Sequence, residues 1–123
     1  MKSILLVEDD PFLIDIYTTK LKETGFSVEV VDDGDEVLPK LKESLPDLLL
    51  LDIVLPHVDG WEILKKIKED NDLAKIKIIV LSNLGQKDEV EKGMKLGATK
   101  YLIKAHYTPS EIVAEIKKLL SEG

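Results

Sequence analysis

Five short apolar runs punctuate the chain, and each is followed by a stretch whose apolar residues recur at helical spacing. The first run, Ile4–Val7, stops at Glu8-Asp9-Asp10 and reads as a buried strand. Pro11 suits the first position of a helix with Asp10 as its N-cap; Leu13, Ile14, Tyr17 and Leu21 form the stripe, and Gly25 ends it. Phe26–Val31 is a valine-rich second strand. Asp33-Gly34-Asp35 then opens a helix with Val37, Leu38, Leu41 and Leu45 facing inward, and Pro39 gives it an irregular or late start. Leu48–Leu51 is the most apolar run and belongs at the sheet centre. Asp59 and Glu62 read as a capping box for a helix carrying Trp61, Ile63, Leu64 and Ile67. After a fourth strand, Ile76–Leu81, comes a weak helix, Gln86–Leu96, resting on Val90 and Met94 and interrupted by Gly93. Tyr101–Ile103 is the fifth strand, and Thr108-Pro109-Ser110-Glu111 starts the last helix, whose apolar face is Ile112, Val113, Ile116, Leu119 and Leu120.

Strands alternating with helices imply a parallel sheet covered on both faces, a doubly wound, five-stranded α/β domain spanning residues 1–123 as one unit. The length of 123 residues and a 44% hydrophobic content are enough for one core. With no cysteine, thiol catalysis and zinc–thiolate sites are excluded. A net charge of −7, with dispersed lysines, argues against a nucleic-acid surface. No apolar run is long enough for a membrane span, which leads us to expect a cytoplasmic protein.

In an open parallel sheet, ligands bind beyond the carboxyl ends of the strands. The polar residues there are Glu8, Asp9 and Asp10 after the first strand, Asp52 after the third, Ser82 and Asn83 after the fourth, and Lys104 after the fifth. One Asp after a strand is ordinarily a cap or turn former, and Asp10 reads that way. The convergence of carboxylates, a hydroxyl and an amine is what carries weight. Clustered carboxylates repel one another unless a cation joins them, and all-oxygen ligation suits Mg²⁺. Around such an ion a carboxylate nucleophile, a hydroxyl donor and an ammonium suit phosphoryl transfer.

The ordered set Ile4-Leu5-Leu6-Val7-Glu8-Asp9-Asp10-Pro11, Leu50-Leu51-Asp52-Ile53-Val54-Leu55-Pro56, Asp59-Gly60, Val80-Leu81-Ser82, Leu96-Gly97-Ala98 and Tyr101-Leu102-Ile103-Lys104 resembles the receiver domain of two-component response regulators, including the single-domain chemotaxis receivers. The resemblance covers essentially the whole chain and implies the flavodoxin-like receiver fold, with strand order 2-1-3-4-5. It implies that Asp52 is the phosphoacceptor. Asp9 and Asp52 would bind Mg²⁺ directly with the backbone carbonyl of Val54, and Glu8 would hold a metal-bound water. Ser82 would engage the phosphoryl group, Lys104 would be its salt-bridge partner, and Tyr101 would be the aromatic that moves with Ser82. The implied donor is a histidine kinase or phosphotransfer protein. A protein target, not yet identified, would meet the surface of the fourth helix, fifth strand and fifth helix, with the domain a monomer or a phosphorylation-dependent dimer. Such a domain phosphorylates and dephosphorylates itself, a switch rather than a turnover enzyme.

Two positions depart from the family pattern. Ala105 stands where the family has a cis proline, and a non-proline cis bond costs about 3–4 kcal/mol, so a trans peptide is expected. Asn83 replaces a small residue and is expected to narrow the approach. The positions two beyond the acceptor and two beyond the hydroxyl, which flank the attacking water in the family, are the apolar Val54 and Leu84. Among rivals, an aspartate-nucleophile phosphatase needs a second aspartate where Val54 stands. A flavin-binding protein needs a phosphate loop where Glu8-Asp9-Asp10-Pro11 would repel phosphate. A docking receiver that is never phosphorylated is the remaining alternative.

Overall fold

The computed structural model describes residues 1–121, so the last two residues of the expected domain lie outside the described ones. Strand β1 (Ser3–Val7) pairs with β2 (Ser27–Val31) on one side and β3 (Leu48–Leu51) on the other; β4 (Lys77–Ser82) joins β3 to β5 (Lys100–Ile103). All pairings are parallel, as the alternating pattern requires, and the order is β2-β1-β3-β4-β5, the one the resemblance implies. The helices are α1 (Pro11–Glu23), α2 (Val37–Glu43), α3 (Gly60–Glu69), α4 (Lys87–Lys95) and α5 (Pro109–Ser121).

Successive side chains of a strand point to opposite faces, and the core divides accordingly. Leu5, Val7, Leu49, Leu51, Ile78 and Val80 pack with Leu41 of α2 and with Ile63 and Ile67 of α3. On the other face Ile4, Leu6, Leu48, Leu50, Ile79 and Leu81 pack with Tyr17 and Leu21 of α1 and with Ile116 of α5. Every residue of β3 is buried, in keeping with its central place. The outer strands are less covered. On β2, Glu29 accepts an ion pair from Lys40 at 2.6 Å, and on β5 Lys100 pairs with Glu115 at 2.6 Å.

The local signals work largely as read. Asp10 caps α1 by accepting from the N–H groups of Phe12 and Leu13, and Gly25, at φ 100°, ends it in a conformation that favours glycine. A 3₁₀ turn over Gly34–Glu36 precedes α2, the late start that Pro39 foretold. Thr108 and Glu111 bond reciprocally at the head of α5.

Three expectations are corrected. Leu45 lies past the end of α2 and is 55% exposed, because the helix closes at Glu43 with Ser44 already extended. Asp59 caps α3 through the N–H of Trp61, and Glu62 is exposed; a glutamate reaching back to its N-cap is found at α4 instead, where Glu89 accepts from the Gln86 N–H at 3.0 Å. Met94 is 44% exposed, whereas Gly93 is buried, so the glycine is a packing surface of α4 and not a break in it.

Gly60 holds the loop after β3 against its own strand end. Its N–H donates to the Ile53 carbonyl at 3.0 Å, and a Cβ there would stand 2.5 Å from Ile53 Cα and 2.6 Å from Ile53 O. Backbone cannot move aside as a side chain can. Gly60→Ala should therefore destabilise the fold by about 1–3 kcal/mol despite the better helix propensity of alanine. Urea unfolding monitored by circular dichroism checks this, and an unchanged midpoint would show that the close approach does not matter.

Candidate functional site

The carboxyl ends of β1, β3, β4 and β5 bring Glu8, Asp9, Asp52, Ser82 and Lys104 to the walls of one open cavity of about 440 Å³. Among the described residues, Glu8, Asp52 and Ser82 are the buried polar side chains other than Tyr17, at 1%, 6% and 0% exposure. The protein thus concentrates its buried polarity at this edge. Each group has a strand-end origin: Asp52 donates its N–H to Val7 O at 3.1 Å and Glu8 donates to Val31 O at 3.1 Å, each one step past the regular ladder.

Lys104 joins the carboxylates. Its Nζ lies 2.6 Å from Glu8 Oε1 and 2.7 Å from Asp52 Oδ2. Burial alone would lower the Lys104 pKa, but the hydrogen bonds to Asp52 and Glu8 outweigh it and hold the pKa above the ordinary lysine value. Burial also raises the Glu8 pKa, against the opposing pull of Lys104 and of the Asp10 N–H. The described peptide bonds are all trans, as expected for Lys104–Ala105, and a 3₁₀ turn over Lys104–His106 follows directly after β5.

Glu8 and Asp9 are neighbours with different surroundings. Glu8 Oε2 accepts from the N–H groups of Asp9 and Asp10, both at 3.1 Å, while Oε1 takes Lys104. Asp9 is exposed on the cavity wall. Carboxylate oxygens of Glu8, Asp9 and Asp52 all lie within 4.8 Å of one another. This all-oxygen set of hard donors fits a divalent cation such as Mg²⁺. Both Glu8 oxygens and both Asp52 oxygens already accept hydrogen bonds, whereas Asp9 faces the open cavity.

Ser82 closes β4, and its Oγ accepts from the Leu84 N–H at 3.2 Å. The Leu84 carbonyl in turn accepts from the Tyr101 hydroxyl at 2.6 Å. Burial raises the Tyr101 pKa above that of a free phenol. Val54 donates its N–H to Asp52 Oδ1 at 3.0 Å, while its side chain is 59% exposed at the mouth beside Leu84. Asn83 is exposed on the rim.

All the strand-end residues expected from the sequence therefore meet. His57 stands apart from them: its Nδ1 lies 2.9 Å from Asp33 Oδ2, and its backbone has φ 68°. The Asp33 pKa is lowered, first by the Asp35 N–H and then by His57. Sequence reading missed the Leu84 carbonyl as the anchor of Tyr101 and the double backbone bond to Glu8. The adjacency of Glu8 to two further N–H groups was the only available signal for the latter.

Comparison with known proteins agrees with the geometry. Residues 4–117 match the family model described as the response regulator receiver domain. The phosphate regulon transcriptional regulatory protein PhoB of Rhizobium meliloti is 35% identical over 120 residues, covering 98% of this chain and 52% of its own length. The chain thus spans about half the length of the curated relatives it matches. The BeF3-activated receiver domain of RstA from Klebsiella pneumoniae superposes with a TM-score of 0.86 at 27% identity, covering 96% of this chain and 97% of that one. The Mn(2+)-bound form of the response regulator Rcp1 gives 0.85 at 28% identity, covering 96% and 93%.

Removing the shared cation should leave two buried carboxylates facing each other. Lys104→Met is expected to cost about 3 kcal/mol of stability in metal-free buffer, and Glu8→Gln in the same chain to recover most of it. Unfolding with EDTA present is the measurement. A Lys104→Met protein as stable as wild type would show that the ion pair contributes nothing.

Proposed function

This chain belongs to the response regulator receiver domain family, and on that premise we propose that it accepts a phosphoryl group on Asp52 from a phosphohistidine of a histidine kinase or phosphotransfer protein. The observation that carries the reading is the Asp52 carboxylate, buried yet opening on a cavity, with Lys104, Ser82 and the acidic pair around it. In the transfer an Asp52 oxygen forms the P–O bond while the donor's P–N bond breaks, and the departing imidazole takes a proton from solvent. Asp52, Asp9 and the Val54 carbonyl would hold Mg²⁺ directly, and Glu8 would do so through a water. The bound ion would offset charge on the phosphoryl oxygens.

The remaining work falls to the protein. Lys104, already 2.7 Å from Asp52, is placed to follow the negative charge as it moves onto the phosphoryl oxygens. Ser82 would turn its hydroxyl toward the same oxygens, releasing the Leu84 N–H it now accepts. Tyr101 is linked to that event through Leu84 and would report it at the surface of α4, β5 and α5, where a protein target binds. We read residues 1–123 as one such domain, monomeric or dimerising on phosphorylation. We take it to act in the cytoplasm; no helix among the described residues is long and apolar enough to cross a membrane. It is a self-phosphorylating, self-dephosphorylating switch and not a turnover enzyme. The reach of Lys104 across a trans peptide supports this over a docking receiver that is never phosphorylated, and Val54 in place of a second aspartate weighs against a phosphatase.

Acetyl phosphate with Mg²⁺ should add one phosphoryl mass to wild type and none to Asp52→Ala. Intact-mass spectrometry decides it, and equal uptake by both proteins would place the acceptor elsewhere.

The lifetime of the acyl phosphate should be long. Val54 and Leu84 flank the cavity without any side-chain group that can orient a water in line with phosphorus. Val54→Asn with Leu84→Glu should speed dephosphorylation roughly 10–100-fold, followed as decay after donor removal. Equal decay rates would show that apolar shielding does not set the lifetime.

A further inference from the structure

Helix α4 touches the rest of the protein at few points, and two of them are consecutive residues. The ammonium of Lys92 lies over the ring of Trp61, 4.6 Å from its centroid, which attaches α4 to α3. Gly93 faces β5. A Cβ at Gly93 would stand 2.6 Å from Tyr101 Cδ2 and 2.9 Å from Tyr101 Cε2, with Trp61 Cζ3 at 3.6 Å on the same side. The space that any other residue would fill is occupied by the tyrosine ring. The ring is also held at its far end, because its hydroxyl donates to Leu84 O at 2.6 Å and Leu84 N–H donates to Ser82 Oγ at 3.2 Å. Two hydrogen bonds through Leu84 therefore link the α4 glycine's partner to the hydroxyl of the site.

We infer that Gly93 is a positioning residue: by presenting bare backbone it seats the Tyr101 ring where the phenol can hold the Leu84 carbonyl, so that the seating of α4 on Trp61 and Tyr101 sets the aim of Ser82. Glycine is a poor residue for the interior of a nine-residue helix, and its helix-propensity cost is offset here by the ring it admits. The turn that carries Ser82 is then fixed from outside by α4. This rests on the receiver reading only for what binds at Ser82; the seat itself does not depend on it.

A double-mutant cycle tests the inference, using Gly93→Ala, Tyr101→Ala and the double substitution in the full chain. Three readouts are followed: thermal midpoint, emission of Trp61 (the sole tryptophan) and beryllofluoride binding with Mg²⁺ by ¹⁹F NMR. In an unobstructed helix, glycine to alanine raises the midpoint by roughly 4 °C. With Tyr101 present, Gly93→Ala should give no such gain, shift the Trp61 emission and weaken beryllofluoride binding roughly 3- to 10-fold, the equivalent of one hydrogen bond. With Tyr101→Ala already made, the same substitution should raise the midpoint by the full roughly 4 °C and leave the affinity alone. Equal midpoint gains in both backgrounds would overturn the seat. A non-additive midpoint with unmoved affinity would reduce Gly93 to packing and overturn its positioning role. A wild type that takes up no beryllofluoride would overturn the receiver reading instead, while the midpoints and Trp61 emission still decide the seat.

Discussion

Two carboxylates buried within reach of the same ammonium set the terms for the rest of this molecule. Taking a carboxylate out of water costs several kcal/mol, and placing a second beside it adds repulsion. Lys104 offsets both charges at once, at 2.6 and 2.7 Å, and can do so only because Glu8, Asp52 and Lys104 follow strands of one parallel sheet. The arrangement is satisfied and still adjustable. The cavity wall leaves Asp9 exposed, and charge added at Asp52 changes the balance around a lysine that already has two partners.

The strength of the core and the thinness of α4 belong to the same design. The central strand β3 is buried along its length and β4 from Ile78 onward, so the strand ends that carry the site keep their spacing. On α4 Gly93 is the buried residue, and the helix is tied by side-chain contacts from Trp61 and by a 2.8 Å bond from Lys68 Nζ to the Lys95 carbonyl. Elements that move in switching come from the weakly attached part of a structure, and α4 meets that description.

Sequence pattern revealed what depends on strand and helix period. Glu8, Asp9, Asp52, Ser82 and Lys104 were legible because each follows an apolar run, where a polar residue breaks the pattern. Long-range packing was not legible. Met94 looked like the core contact of α4 because it is apolar, yet a ring arriving from β5 makes Gly93 the buried residue. Leu45 continued a helical stripe beyond the point where the backbone had already turned extended. The reach of Lys104 is a property of backbone path after β5, which composition around Ala105 does not encode.

The two margins of the sheet bear on how the protein behaves in a crowded solution. An outer strand offers unpaired backbone groups to any passing chain, and long, flat, apolar margins template fibres. Here β2 runs five residues and β5 four, and each bears a charged side chain engaged across to a helix, Glu29 to Lys40 and Lys100 to Glu115. A further strand would have to displace or desolvate those pairs before it gained a ladder. The margins of the sheet therefore resist indiscriminate stacking of one molecule on another.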